Sequence, residues 1–346
     1  MAGEFMVAAN GVELCVETFG ADRDPPLLLI AGAASSMDWW EDAFCRRLAA
    51  GGLRVIRYDH RDTGRSTSWP AGAPGYTQAD LAADAPAVLD ALGVPRAHLA
   101  GLSMGGGIAQ RLAIEHPDRV HTLTLMSTSP VTPPDEAEPA DEAEPADEAE
   151  PADETEPGDE TEPGDRTEPG DQADLGDQGG PGDQAGPREK GKRGEPAPEN
   201  APEGTGDEGG PAEVDRADRA AVVERLVADV RAAGGPLTAD AGHLRRLAVR
   251  VAGRTRDLAA SQANHWIARP GPPIRGTLTA VTAPTLVLHG TADPLFGMSH
   301  AEALRRIIPG ARLVRLDGVG HEYPPAPVWP RVVAEITRHI FDTLGR

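Results

Sequence analysis

Short, mostly apolar runs alternate along the chain with stretches whose apolar residues recur every three or four positions. The runs fall at 26–30, 53–58, 96–102, 120–126, 284–289 and 312–316. Runs this short, with little polar alternation, suit strands covered on both faces. Helical spacing falls between or after them, at 41–50, 79–92, 104–115, 299–308 and 331–344. Ahead of these, residues 7–20 hold two alternating runs around Asn10-Gly11, a dipeptide that favours a two-residue hairpin turn. Strand alternating with helix predicts an α/β fold with a mostly parallel central sheet and helices on both faces.

The alternation stops after Pro130. From Asp135 to Asp183 an aspartate recurs every six residues, in units such as Asp-Glu-Ala-Glu-Pro-Ala. A six-residue repeat builds a β-helix only when each turn supplies an apolar side chain, and Leu175 stands almost alone here. Such a segment buries too little surface to offset its ordering entropy. Residues 131–212 are therefore expected to form a disordered acidic insert, a solvated linker, with calcium binding as the alternative reading of its carboxylates. Helical spacing resumes at 214–233, ends at Gly234-Gly235-Pro236, and returns as one or two helices at 240–268. The expected organisation is an α/β core at 7–130 and 281–346, the insert at 131–212, and a helical cap or lid at 213–280.

The 346 residues carry a formal charge of −22, but the charge is local. Residues 131–215 hold 29 Asp and Glu against 5 Lys and Arg, leaving 26 acids and 28 bases elsewhere. The core and cap are thus close to neutral, so net charge carries no information about a substrate, and no basic patch points to nucleic acid. Cys15 and Cys45 have neither a disulfide framework nor metal-type spacing around them and are expected to be buried thiols. No run of 18 apolar residues and no apolar N-terminal run is present, so a soluble, cytoplasmic protein without a membrane partner is expected.

Chemistry enters at the turn between the strand at 96–102 and the helix at 104–115, which Pro117 stops. The turn reads Gly101-Leu102-Ser103-Met104-Gly105. A strand-to-helix turn this tight gives its central serine strained backbone angles and leaves no room for side chains two residues away. The hydroxyl is presented at a helix N-terminus, where unpaired N–H groups favour developing negative charge. The stretch lacks both G-x-G-x-x-G spacing and a P-loop ending, so a nucleophile is preferred over a phosphate cradle.

A serine hydroxyl needs a base within hydrogen-bond reach, and that base needs a third group to fix its tautomer. Functional groups on parallel sheets gather at the carboxyl ends of strands. Ser103 follows the third parallel run, Asp293 follows 284–289, and His321 follows 312–316. Taken singly, Asp293-Pro294 also reads as a turn starter and His321 as a loop histidine. The strand at 120–126 ends in Ser127-Thr128-Ser129 with no carboxylate, which leaves Asp293 as the acid. His60, His289 and His300 are read as structural, His60 within a loop tied together by Asp59, Arg61 and Asp62. Two backbone N–H groups would serve an oxyanion, those of Met104, next to the serine, and of Ala33, after Gly32.

The loop at 57–67, Arg-Tyr-Asp-His-Arg-Asp-Thr-Gly-Arg-Ser-Thr, and the elbow at 101–105 resemble the α/β-hydrolase superfamily, most closely aclacinomycin methylesterase and related actinobacterial esterases. The resemblance covers roughly 7–130 and 280–342. It implies an α/β-hydrolase fold, with Ser103 as nucleophile, Asp293 as acid, His321 as base, and Ala33 and Met104 as oxyanion donors. It implies hydrolysis of a carboxylic ester without metal or cofactor, and a partly apolar small-molecule substrate such as a methyl ester of a polyketide. The chain departs from many relatives in having Ala31-Gly32 where they have His-Gly. Trp39, Trp40 and Trp266 are candidates for the substrate pocket, with the core as the alternative. The same triad on this fold also serves lactones, thioesters, C–C bonds and cofactor-free perhydrolysis. A non-catalytic ligand-binding or scaffold protein is the reading from another class.

Overall fold

The computed structural model describes residues 3–131 and 219–345. The expected disordered insert at 131–212, Val131 apart, and residues 213–218 of the expected cap lie outside them.

The chain opens on a hairpin of β1 (Phe5–Ala9) and β2 (Val12–Phe19), with Ala9 opposite Val12. Asn10 and Gly11 both take positive φ, 46° and 76°, as a tight hairpin turn requires. Strand and helix then alternate through β3 (Pro26–Ile30), α1 (Asp42–Ala50), β4 (Arg54–Tyr58), α2 (Gln78–Ala91), β5 (Ala97–Leu102), α3 (Met104–Glu115) and β6 (Val120–Met126). Three helices follow beyond residue 218: α4 (Arg219–Ala233), α5 (Ala241–Arg254) and α6 (Leu258–Ile267). The alternation closes with β7 (Thr285–Gly290), α7 (Met298–Ile307), β8 (Arg312–Leu316) and α8 (Trp329–Thr343).

Among the described residues eight strands form one sheet in the order β1-β2-β4-β3-β5-β6-β7-β8. Only the pairings of β2, with β1 and β4, are antiparallel; the other five are parallel. Alternate residues feed opposite faces. Leu28 and Ile30 join Leu99, Leu123 and Val287 against α2, α3 and α7. Leu27 and Leu29 join Val55, Leu286 and Leu288 against α1 and α8. A third apolar cluster belongs to the cap, where Val222, Val223 and Leu226 of α4 meet Leu244, Ala248 and Val251 of α5.

Helix ends follow local chemistry. α2 starts at Gln78 because Thr77 Oγ1 accepts the Asp80 N–H at 3.2 Å and the Asp80 carboxylate accepts the Thr77 N–H at 2.8 Å. The segment at 240–268 divides into two helices, with Asp240 capping α5 and Asp257 capping α6. The loop after β4 is buried despite its charges: Arg61 grips Asp84 through two bonds of 2.7 and 2.8 Å. Cys15 and Cys45 are both buried and free. Among the described residues no helix is long and apolar enough to cross a membrane.

His98 of β5, far from the carboxyl edge of the sheet, gives a pH-dependent stability. Burial, and then the charges of His121 and His339, push its imidazole down to about 3 from 6.5. Below 6.5 the unfolded chain takes up a proton that the folded chain refuses, so this site destabilises the fold as pH falls. Between pH 7 and pH 5, wild type should lose about 2 kcal/mol more unfolding free energy than His98→Asn. Urea titrations at the two pH values check this; parallel losses in the two proteins would refute it.

Candidate active site

Ser103 sits between β5 and α3 with φ 54° and ψ −120°, a conformation that costs a non-glycine residue about 1–3 kcal/mol. The surroundings hold it there. Its N–H donates to Met126 O at 3.0 Å, and its carbonyl accepts the N–H groups of Gly106 and Gly107 and the Thr128 hydroxyl at 2.9–3.1 Å. A Cβ on Gly101 would overlap the Gly105 carbonyl, and one on Gly105 would overlap the Ile30 carbonyl. Those two glycines are therefore what lets β3, β5 and α3 close on the serine.

His321, in the loop after β8, brings Nε2 to 3.0 Å from Ser103 Oγ. Its Nδ1 lies 2.9 Å from Asp293 Oδ2, in the loop after β7. A carboxylate only accepts, so Nδ1 carries the proton and Nε2 faces the hydroxyl as an acceptor. The other Asp293 oxygen accepts the N–H groups of Leu295 and Phe296 at 3.0 and 2.9 Å. Burial works to raise the Asp293 carboxyl. The hydrogen bond from His321 and those backbone donors outweigh it and hold the group below the ordinary carboxylate range. His289, which the sequence places among structural histidines, donates from Nε2 to Phe296 O at 2.6 Å and so braces the loop that carries Asp293.

The loop after β3 is tied on both sides of Ala33. His60 Nε2 meets Ala31 O at 3.0 Å, the Gly32 N–H donates to the Tyr323 hydroxyl at 2.8 Å, and the Ala34 N–H donates to His265 Nδ1 at 2.9 Å. Among the described residues the Ala33 N–H has no acceptor. The Met104 N–H opens α3 and has no intrahelical acceptor either. Both candidate oxyanion donors are thus unengaged while their neighbours are fixed.

Ser103, His321, Gly32 and Ala33 border a cavity of about 1040 Å³ between the carboxyl edge of the sheet and the cap. Its walls include Leu226, Val230, Leu244, Phe296 and Tyr323, with Glu41, Arg225, Asp229, His243 and Gln262 adding polar groups. Trp39 and Trp266 line it too, Trp266 with 68% of its surface exposed. Trp40 does not: it is 1% exposed, stacked on Phe44 and edge-on to Tyr323, because its ring turns into the core beneath the cavity. Among the described residues no three His, Cys, Asp or Glu side chains gather as a metal site.

Several positioning groups escape sequence reasoning. The His321 N–H donates to Ala233 O at 2.7 Å at the end of α4. Glu322 Oε1 accepts the Thr238 hydroxyl at 2.8 Å and the N–H groups of Gly235 and Gly320. A Cβ on Gly320 or on Gly235 would strike backbone of the opposing loop, so the glycines let the cap touch the histidine loop directly. His265 and Asn264 of α6 plug into the core from the cap; a lone polar pair on a helix gives no periodic signal.

Two family models match the chain, one described as alpha/beta hydrolase fold over residues 25–157 and one as TAP-like protein over 250–327. The rhodomycin D methylesterase DauP of Streptomyces sp. (strain C5) is 33% identical over 342 residues, 95% of each chain. The rhodomycin D methylesterase DnrP of Streptomyces peucetius is 34% identical over 339 residues, again 95% of each. Among solved structures, a thermophilic esterase from Thermogutta terrifontis superposes with a TM-score of 0.58 at 21% identity, covering 99% of both chains. The enol-lactonase from Burkholderia xenovorans LB400 gives 0.58 at 20% identity over 99% of this chain and 100% of its own.

Proposed function

The chain belongs to the α/β-hydrolase family and is an ester-hydrolysing enzyme, and from that premise we propose that it works through Ser103, His321 and Asp293 by way of an acyl-enzyme. The observation that carries this reading is the unbroken chain of hydrogen bonds, 3.0 Å from Ser103 Oγ to His321 Nε2 and 2.9 Å from His321 Nδ1 to Asp293, at the wall of an apolar cavity.

Ser103 Oγ attacks the ester carbon as His321 Nε2 takes its proton. Asp293 stabilises the imidazolium, and the N–H groups of Ala33 and Met104 take the charge on the carbonyl oxygen. Nε2 returns the proton to the departing alkoxide, leaving Ser103 acylated. Water, deprotonated by the same nitrogen, then releases the acid.

For the substrate we infer a methyl ester carried on a polyketide-type small molecule. The relatives named as methylesterases support the bond, and a cavity of about 1040 Å³ with apolar walls supports a polycyclic body. Burying one more aromatic ring is worth about 2–3 kcal/mol. The methyl ester of a polycyclic aromatic acid should therefore show a kcat/KM at least about 100-fold above that of methyl acetate, which has no ring to bury. Faster cleavage of a lactone of matched size would move the assignment to the lactonase reading; no cleavage of any ester, with bound ligand, would favour the non-catalytic one.

A further inference from the structure

We propose that His265, on cap helix α6, is a positioning residue for the oxyanion loop: it holds Ala34 so that the neighbouring Ala33 N–H is aimed at the reacting carbonyl. This rests on the hydrolytic reading given above and adds to it a contribution of the cap to the chemical step.

Both ring nitrogens of His265 face partners of fixed character. The Ala34 N–H can only donate, and it meets Nδ1 at 2.9 Å. The Arg61 carbonyl can only accept, and it meets Nε2 at 2.8 Å. The ring is therefore the neutral Nε2–H tautomer, since an imidazolium would set N–H against N–H at Ala34. Burial lowers its pKa in the same sense. The residue is 3% exposed, and the His60 ring stands edge-on to it at 5.8 Å, so burial and the two hydrogen bonds fix the ring.

What it holds needs holding. Ala34 has φ 55°, a left-handed conformation disfavoured for a residue with a Cβ. Without an acceptor for its N–H, that residue can relax toward ordinary angles and carry Ala33 with it. The ties on the other side of Ala33, to His60 and Tyr323, come from the core and from the histidine loop. The tie at Ala34 comes from the cap. Its helix is anchored by the preceding residue: Asn264 donates to Asp62 Oδ2 at 2.9 Å and accepts the Gly72 N–H at 2.8 Å. The cap thus reaches Ala34 through one rigid ring.

Two substitutions separate the two bonds. Asn places an amide oxygen near the Nδ1 position and can still accept from Ala34. Gln places an amide nitrogen near the Nε2 position, can still donate to Arg61 O, and offers Ala34 nothing. Oxyanion contacts strengthen only in the transition state, so the loss falls on kcat. On a p-nitrophenyl ester, His265→Gln should lower kcat by about 10- to 100-fold with KM within about twofold, and His265→Asn should recover most of that loss. Wild-type kcat in His265→Gln, or equal loss in both variants, overturns the proposal. Should either variant fail to fold, 15N NMR of the wild type decides: Nδ1 unprotonated and Nε2 protonated at neutral pH is expected, and the Nδ1–H tautomer or an imidazolium overturns it. An inactive wild type would instead sink the hydrolytic reading beneath it; an active wild type with an unaffected His265→Gln sinks only this inference.

Discussion

Ser103→Ala lowers kcat on a p-nitrophenyl acyl ester by about 10⁵-fold or more while KM and the thermal midpoint stay near those of wild type. The size follows from the role proposed for the hydroxyl: on that reading no acyl-enzyme forms without it, and the residual rate comes from bound water, the proposed oxyanion donors and substrate binding alone. The fold should tolerate the change, because among the described residues Ser103 Oγ has its hydrogen bond with His321 Nε2, whereas the backbone bonds that hold the elbow run through the N–H and carbonyl of the same residue. Stopped assays over a long time base and a melting curve check the two halves. A variant as fast as wild type would remove Ser103 from the chemistry.

Asp293→Asn is expected to cost about 10⁴-fold in kcat, although the change is one atom. The geometry says why. One Asp293 oxygen accepts from the Leu295 and Phe296 N–H groups, and an amide can satisfy both only with its oxygen there. Its NH2 then takes the position of Oδ2 and donates to His321 Nδ1, which must become the acceptor. The proton moves to Nε2, and His321 can no longer receive one from Ser103. The substitution also removes a pH-dependent contribution to stability. Asp293 is held below its ordinary pKa of 3.8, so its contribution is complete above that value and is lost as pH falls through the folded-state value. The variant should lack that acid-side loss. A drop in kcat of less than tenfold would contradict the role given to the carboxylate.

Much of the fold, and the placement of the candidate residues, is legible in the sequence. Apolar runs at 26–30 and 120–126 became strands with those bounds because a strand buried on both faces has almost no polar residues to blur its ends. Asn10-Gly11 marked its turn because few residues accept positive φ twice in succession. The elbow glycines marked Ser103 because only glycine fits beside those carbonyls. That Asp293 and His321 come to lie beside Ser103 follows from their places after strand ends.

Other features left no trace. Trp39 and Trp40 are adjacent and chemically identical; only the turn of the loop after β3 sends one ring to the cavity and the other into the core. His265, Tyr323 and Glu322 are tied by a few hydrogen bonds each, mostly to residues far away in the chain, and such pairings have no period in the sequence. The close contact of the cap with the histidine loop was hidden for the same reason, although Gly234-Gly235 and Gly318-Val319-Gly320 are the residues that permit it.

The central claim is that Ser103 becomes covalently acylated with His321 as its base. Incubating the wild-type enzyme with an aryl fluorophosphonate, which traps a serine activated in this way, and mapping the adduct by peptide mass spectrometry tests it most directly. The expected result is one adduct per chain, on the peptide carrying Ser103, formed in step with the loss of esterase activity and absent in His321→Ala. Full inactivation with Ser103 unmodified, or an adduct on another residue, would contradict it.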